Sequence, residues 1–308
     1  MYKLTFTPYQ RRFNQPLKTS HGVWEIREGI IICLTDGDGN KGWGEIAPLP
    51  WFGSETLAAA EAFCRELSSQ ITKTAILAIP NQLPACQFAF ESALEELETS
   101  PHQLELKKSL NYSYLLPAGE DALTSLKLYS RSRELTFKWK IGLAPVPQEL
   151  TIFEQLIKNL PSAAKLRLDA NGGLNLKQAQ EWLKAADSTS GIVEYIEQPL
   201  APSQFMAMLV LSEQYATPLA LDESVATLKQ LEDCYRQGWR SIFVIKAAIA
   251  GSPQRLRQFC QQHQIDAVFS SVLATKVARK AALRLATELS SPHRAVGFGV
   301  DRWFMEND

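Results

Sequence analysis

From about residue 110 onward, one unit recurs along the chain: a short apolar run followed by an amphipathic helical stretch. Runs at 135–141, Lys165–Asp169, Val193–Glu197, 219–222, 242–246 and 267–270 alternate with helical patterns at 147–159, 176–186, 204–215, 227–237 and Pro253–His263. Strands separated by helices of that length build βα units and a parallel sheet. Taking 110–116 as the first strand gives at least seven in a row. That favours a closed barrel, with the open doubly wound sheet as the alternative. No GxGxxG or GxxxxGK(S/T) follows any of the runs, so neither a dinucleotide fold nor a P-loop is indicated.

The first hundred residues follow another rhythm. Residues 2–9, 13–18 and 29–35 read as strands, a turn rich in Asp, Gly and Asn follows, and 42–46 resumes as a strand of an antiparallel meander. Two helices come next, 55–71 with Ser54 as its N-cap and 84–97 opened by Pro84. This is an α+β unit. The expected division is a cap over 1–105, a barrel over 106–298 and a short tail over 299–308. A length of 308 residues suits a barrel with one smaller appended domain.

Composition excludes several classes of function. The formal net charge is −1, and nothing in these totals supplies the basic surface needed to displace the counterions of a nucleic acid. The longest apolar runs, 29–34 and 205–211, are too short to span a bilayer. The N-terminal residues alternate in polarity and lack the apolar core of a signal peptide. Cys33, Cys64, Cys86, Cys234 and Cys260 are odd in number, scattered and without a CxxC, which suits small buried side chains in a reducing compartment. A cytoplasmic protein is expected.

The charges at the strand ends carry the chemistry. Parallel strands covered on both faces are nearly all apolar, yet five of these end in Lys140, Asp169, Glu197, Asp222 and Lys246. The intervals are 29, 28, 25 and 24 residues, one βα unit each. A barrel puts all five on its C-terminal rim, where barrel enzymes keep their active sites. The two lysines then end strands two and six, opposite each other, and the three carboxylates lie on the arc between. Along 135–141, Phe137, Trp139 and Ile141 share one face, while Lys138 and Lys140 share the lumen face. Any single one of these residues reads as well as a helix N-cap or a solvated side chain. All five together would need five independent accidents in the right order.

Three converging carboxylates repel, and burial raises their pKa values. A hard divalent cation resolves this, and three carboxylate oxygens with open positions suit Mg²⁺, with Mn²⁺ able to substitute. Lysines beside such a site are expected to be desolvated and lowered in pKa, which fits them to move protons. A cation holding a substrate carboxylate with a lysine on either face removes a proton α to that carboxylate.

Lys138-Trp139-Lys140, Asp169-Ala170-Asn171, Glu197-Gln198-Pro199, Asp222-Glu223-Ser224 and Lys246 together resemble the enolase superfamily in its muconate-lactonizing-enzyme-like branch. Sites of that superfamily use a lysine or histidine base with Mg²⁺. The likeness covers the whole chain and implies an α/β fold: a modified (β/α)8-type barrel of the form (β/α)7β, an N-terminal α+β cap, and a tail returning to the cap. Within the branch the chain looks most like the o-succinylbenzoate synthase family, which shares a compact cap with the segments at 16–22 and 42–50. Both are expected to close over the barrel mouth, bringing Lys18 and His21 near the substrate.

That likeness implies a Mg²⁺-dependent dehydration of 2-succinyl-6-hydroxy-2,4-cyclohexadiene-1-carboxylate to 2-succinylbenzoate, in menaquinone or phylloquinone synthesis. Lys140 would take the α-proton and return it to the departing hydroxide. Asp169, Glu197 and Asp222 would hold the metal. Lys246 would act as the opposite acid–base group or as a cation over the conjugated intermediate, and Lys138 would tune the enolate. Lys18, Asn171, Ser270 and Ser271 are the expected substrate contacts. The two serines precede a helical stretch from about Ala274 whose N-terminus either receives the distal carboxylate or is simply capped by a serine.

The same opposed lysines also suit an N-succinylamino-acid racemase or a dipeptide epimerase. Dipeptide epimerases of the superfamily carry a late Asp-x-Asp, and the 297–301 stretch has only Asp301. A silent scaffold would be expected to have lost one of the five charged residues. The Asp36-Gly37-Asp38-Gly39-Asn40 run starts like a calcium loop but has Lys41 and Ala47 at the sixth and twelfth positions, so it reads as a hairpin turn. His21, His102, His263 and His293 have no metal-ligand spacing. Glu223 either pairs with a lysine of the site or caps a helix.

Overall fold

A computed structural model describes residues 1–19, 22–99, 109–129 and 135–299; the side chains of Lys18 and Thr19 lie outside that description. Strands β1 (Tyr2–Thr19) and β2 (Gly22–Thr35) form one long antiparallel hairpin, with a register shift between Arg12 and Leu17. The strands expected at 2–9 and 13–18 are therefore one. The irregular stretch contains Pro16, which has no N–H to give to the ladder. β3 (Lys41–Ile46) pairs with β2. The turn between them is organised by the Asp36 carboxylate, which accepts the N–H groups of Asp38 and Asn40, each at 2.9 Å.

A 3₁₀ turn (Pro50–Phe52) leads to α1 (Leu57–Glu66). The helix is shorter than expected at both ends. Thr56 caps it, whereas Ser54 accepts the Leu49 N–H. After it come β4 (Gln70–Ile71), which pairs with β1, α2 (Lys73–Leu77) and α3 (Pro84–Glu98). The sheet order is β3-β2-β1-β4. α3 is buried continuously from Pro84 to Leu94, since it lies between the cap sheet and the barrel. The glycines of the Gly42-Trp43-Gly44 run explain how β3 rests on it. A Cβ at Gly42 would lie 2.0 Å from the Ala93 carbonyl oxygen, and one at Gly44 would lie 1.9 Å from that of Ala89.

The barrel follows as β5 (Ser113–Leu115), α4 (Asp121–Lys127), β6 (Thr136–Lys140), α5 (Val146–Asn159), β7 (Lys165–Asp169), α6 (Leu176–Asp187) and β8 (Val193–Glu197). It continues with α7 (Phe205–Gln214), β9 (Leu219–Leu221), α8 (Leu228–Arg236) and β10 (Ile242–Ile245). It ends with α9 (Ala247–Ala250), α10 (Pro253–His263), β11 (Ala267–Phe269) and α11 (Lys276–Leu289). The seven strands are parallel and lie in chain order. After α11 the chain closes the ring. Val296 bridges to Tyr112 before β5, and Gly297 bridges to Ser270 after β11, both in the parallel sense. Residues 296–297 stand where an eighth strand would, which makes this the (β/α)7β form.

Polarity separates the two sides of the strands. On β6, Phe137 and Trp139 are buried against the helices, where Trp139 meets Trp182 edge-on. Inside, Tyr195, Ala220, Ile242, Val244 and Val268 make a small core distinct from the main one. The barrel floor is polar but fully paired. Glu194 receives Arg167 at 2.7 Å and Arg294 at 2.8 Å, and Asp266 receives Arg294 and Ser291. Burial would push both carboxyls up, but the arginines outweigh it and hold them below the usual range.

All five cysteines are buried and free. Among the described residues, no helix is long and apolar enough to cross a membrane. The boundary expected at 105/106, the loop residue His21 and the tail from 300 to 308, with its return to the cap, lie outside the described residues.

Candidate active site

Register brings three of the strand-end charges to one level and the other two just beyond it. Lys140 is opposite Asp169, and Asp169 is opposite Glu197. Asp222 follows β9, whose Ala220 is opposite Glu197, and Lys246 follows β10. Two-residue alternation sends Lys138, Lys140, Asp169 and Glu197 into the same lumen. The three carboxylates are 3, 1 and 3% exposed for Asp169, Glu197 and Asp222.

Each acid has a lysine at hand. Lys138 Nζ lies 2.8 Å from Asp169 Oδ2 and 2.7 Å from Glu197 Oε1. Lys246 Nζ pairs with Asp222 Oδ1 and sits 3.9 Å from the centre of the Phe52 ring, a residue of the cap's 3₁₀ turn. Lys140 makes no ion pair among the described residues.

Electrostatics follow from this crowding. Burial, then the Asp169 charge, pushes the Glu197 carboxyl up to about 8 against the pull of Lys138. Burial also raises Asp222, with Lys246 opposing it. At Asp169 burial is outweighed by Lys138 and Lys140, which keep it low. Lys138 departs from expectation. Burial disfavours its ammonium, but Asp169, Glu197 and Asp222 together outweigh that and hold its pKa well above the ordinary lysine value. A lysine in that setting stays charged and does not move protons near neutrality.

The donor set fits a hard cation. Three buried carboxylates meet two paired lysines, and the Glu197 carboxyl, pushed up to about 8, shows that the dry rim resists a third negative charge that a bound divalent cation would offset. Among the described residues no three acidic, imidazole or thiol groups close into a ready-made cage. The Lys138 ammonium bridges the first two acids and Lys246 takes the third. All donors are oxygen, the preference of Mg²⁺ rather than of thiolate- or imidazole-seeking metals.

The expected substrate contacts meet different fates. Asn171 turns its side-chain N–H to Glu223 Oε1 at 3.1 Å, so Glu223 pairs with an amide rather than a lysine. Its own backbone N–H goes to Asp169 Oδ1 at 3.0 Å. Ser271 Oγ accepts the Leu273 N–H, while the buried Ser270 Oγ has no hydrogen-bond partner among the described residues. The helix N-terminus offered to a substrate anion is filled from within. Glu45 of β3 accepts the N–H of Thr275 at 2.9 Å and of Ala278 at 3.0 Å, and Thr275 Oγ1 takes that of Val277. Nothing in residues 270–280 hints at a capping partner more than two hundred positions away. The Lys18 side chain lies outside the described residues. Of the 42–50 segment, 42–46 is strand packed on α3, and just beyond the segment Phe52 reaches Lys246 at the mouth.

Comparison with known proteins agrees with this geometry. Residues 127–304 match the family described as enolase C-terminal domain-like, and residues 5–97 match the MenC N-terminal domain. The o-succinylbenzoate synthase of Thermosynechococcus vestitus is 39% identical over 300 residues, spanning 96% of this chain and 91% of that one. The o-succinylbenzoate synthase of Aliivibrio fischeri is 30% identical, over 84% of this chain and 78% of that one. Among solved structures, o-succinylbenzoate synthase from Thermosynechococcus elongatus, complexed with Mg in its active site, superposes with a TM-score of 0.91. It is 38% identical and covers 98% of this chain and 94% of its own. The L-Ala-D/L-Glu epimerase of Bacillus subtilis, 21% identical with a TM-score of 0.79, shares the fold. With the match covering cap and barrel alike, the chain belongs to the o-succinylbenzoate synthase family of the enolase superfamily.

Proposed function

We propose that the chain dehydrates 2-succinyl-6-hydroxy-2,4-cyclohexadiene-1-carboxylate to 2-succinylbenzoate, with Mg²⁺ or Mn²⁺, in quinone biosynthesis. The observation that carries the reading is the level ring of Lys140, Asp169 and Glu197, completed by Asp222 and Lys246 across the lumen. Asp169, Glu197 and Asp222 would hold the metal, which when bound supplies positive charge against the substrate carboxylate and the enolate charge developing on it.

The proton chemistry falls to Lys140. Placed at the rim opposite Asp169 and engaged in no ion pair among the described residues, it would take the proton from the ring carbon bearing the carboxylate. The electron pair forms the enolate; the C–O bond at the neighbouring carbon then breaks, and the same lysine hands its proton to the departing hydroxide, which leaves as water. Aromatisation of the ring drives this second step. Lys246, held between Asp222 and the Phe52 ring, faces the opposite side of the intermediate as a fixed cation. Lys138 keeps Asp169 and Glu197 together. Ser270, Ser271, Lys18 and Asn171 are assigned to the substrate's succinyl side and carboxylates, Ser270 through its unpartnered hydroxyl.

An ultraviolet assay with the cyclohexadiene and Mg²⁺ tests the reading. Metal-dependent loss of the diene absorbance is expected, reduced by about 10³-fold or more in Lys140→Ala at unchanged fold. No turnover by the intact protein would sink the proposal. Exchange of the α-proton of N-succinylamino acids in D₂O, without dehydration, would replace it with racemisation.

A further inference from the structure

We infer that Gln198 is the positioning residue that sets the spacing of the three carboxylates, an inference that rests on assigning Asp169, Glu197 and Asp222 to the cation. Gln198 directly follows Glu197 and is fully buried. Its backbone lies in the left-handed region, with φ of 38°, a conformation that a residue with a long side chain keeps only where its surroundings hold it.

Its bonds reach the ends of three successive strands. The side-chain oxygen accepts the N–H of Asp222 at 3.0 Å and of Ser224 at 3.1 Å. The side-chain nitrogen donates to the Leu200 carbonyl at 2.9 Å and to Ser224 Oγ at 2.7 Å. The backbone carbonyl accepts the Gly172 N–H at 2.7 Å, and the backbone N–H donates to Ala220 at 2.8 Å. One residue thus ties the loop after Asp169 through Gly172, the turn after Glu197 through Leu200, and the backbone of Asp222 itself. Filling space would require none of this. An apolar side chain of the same volume would occupy the site but leave two buried N–H groups at Asp222 and Ser224 unpaired. The direction in which Asp222 leaves β9 is therefore held by the Gln198 amide. Groups that orient metal ligands in this way change metal affinity by about 10- to 100-fold when removed.

The test is the Mg²⁺ affinity of the intact protein by titration calorimetry, with urea stability and turnover measured beside it. The variants are Gln198→Met, Ser224→Ala and, as a stability control from the barrel floor, Asp266→Asn. Gln198→Met is expected to bind Mg²⁺ about tenfold or more weakly. Ser224→Ala, which removes one acceptor of the amide, is expected to bind roughly threefold more weakly. Asp266→Asn should bind like the parent despite its lower stability. A Gln198→Met protein that binds Mg²⁺ as tightly as the parent overturns the inference, and so does an Asp266→Asn protein whose affinity falls in step with its stability. Should Gln198→Met not fold, unchanged affinity in Ser224→Ala overturns it. Failure of the parent protein to bind Mg²⁺ overturns the ligand assignment instead, which separates the two failures.

Discussion

Glu45 of the cap accepts the N–H of Ala278, at 3.0 Å, on the first turn of the last barrel helix. The same carboxylate also receives Thr275 N–H, Thr275 Oγ1 and the hydroxyl of Tyr9 on the long hairpin. Glu45 is therefore one of the buried acids that join cap and barrel, and it takes the place of an anion at the helix N-terminus. The donors it satisfies come from the start of α11 and from β1.

Glu45→Ala would strand these donors in the dry junction. The expected loss is roughly 3 kcal/mol, the scale set by leaving several buried donors unpaired. Urea unfolding measures it, and a midpoint equal to that of the parent would contradict the assigned role. Turnover should fall as well, because Phe52 reaches Lys246 from the same cap.

Lys138→Met removes the counter-charge from Asp169 and Glu197 while keeping most of the side-chain volume. Two buried acids then face each other, at an expected cost of about 3–5 kcal/mol. Millimolar Mg²⁺ should restore much of that loss, since a cation bound to the folded state stabilises it by mass action. Melts with and without Mg²⁺ check the point. A variant whose stability ignores Mg²⁺ would count against the carboxylates as its ligands.

The barrel floor predicts the response to acid. Glu194 and Asp266 are held below the usual carboxylate range by Arg167 and Arg294. The folded protein thus binds fewer protons than the unfolded chain in the window between the two sets of values. Their contribution is fully present above about pH 4.5 and fades as pH falls through the folded values. Asp266→Asn should be less stable near neutrality and lose stability less steeply on acidification. Thermal melts between neutral and acid pH decide it, and parallel curves would reject the argument.

Gly44→Ala places a methyl group 1.9 Å from the Ala89 carbonyl oxygen, which is backbone and has nowhere to go. β3 must then lift from α3, at an expected cost of about 3 kcal/mol. Trp43→Ala, on the exposed face of the same strand, should cost far less. Equal destabilisation of the two variants in urea would refute the packing account.

Much of this molecule is legible in its sequence. The βα period and the apolar alternation are local, so they report the barrel, its lumen face and the five charged strand ends directly from residue spacing. The split of Phe137 and Trp139 from Lys138 and Lys140 follows from period two alone. The hairpin turn at Asp36 is local as well, written in its run of Asp, Gly and Asn. Boundaries were less legible: the helix expected from Ser54 begins after Thr56, because Ser54 is engaged by Leu49. The opening strand continues past Pro16 because pairing with β2, interrupted after Arg12, resumes at Leu17.

Only the tertiary structure could decide which charges meet. The sequence determined that acids and lysines end neighbouring strands, since that depends on spacing. It did not determine that Lys138 is held charged, because the sign of that shift comes from the sum of three carboxylates set against burial. Nor did it reveal that Glu45 fills the N-terminus of α11, a contact between residues 230 positions apart. The role of Gln198 was equally hidden, since a glutamine after a strand says nothing until Asp222 and Ser224 are brought within hydrogen-bonding distance of its amide. Periodicity is written in neighbours along the chain, whereas Coulomb and hydrogen-bond energies depend on distances in space that folding alone creates.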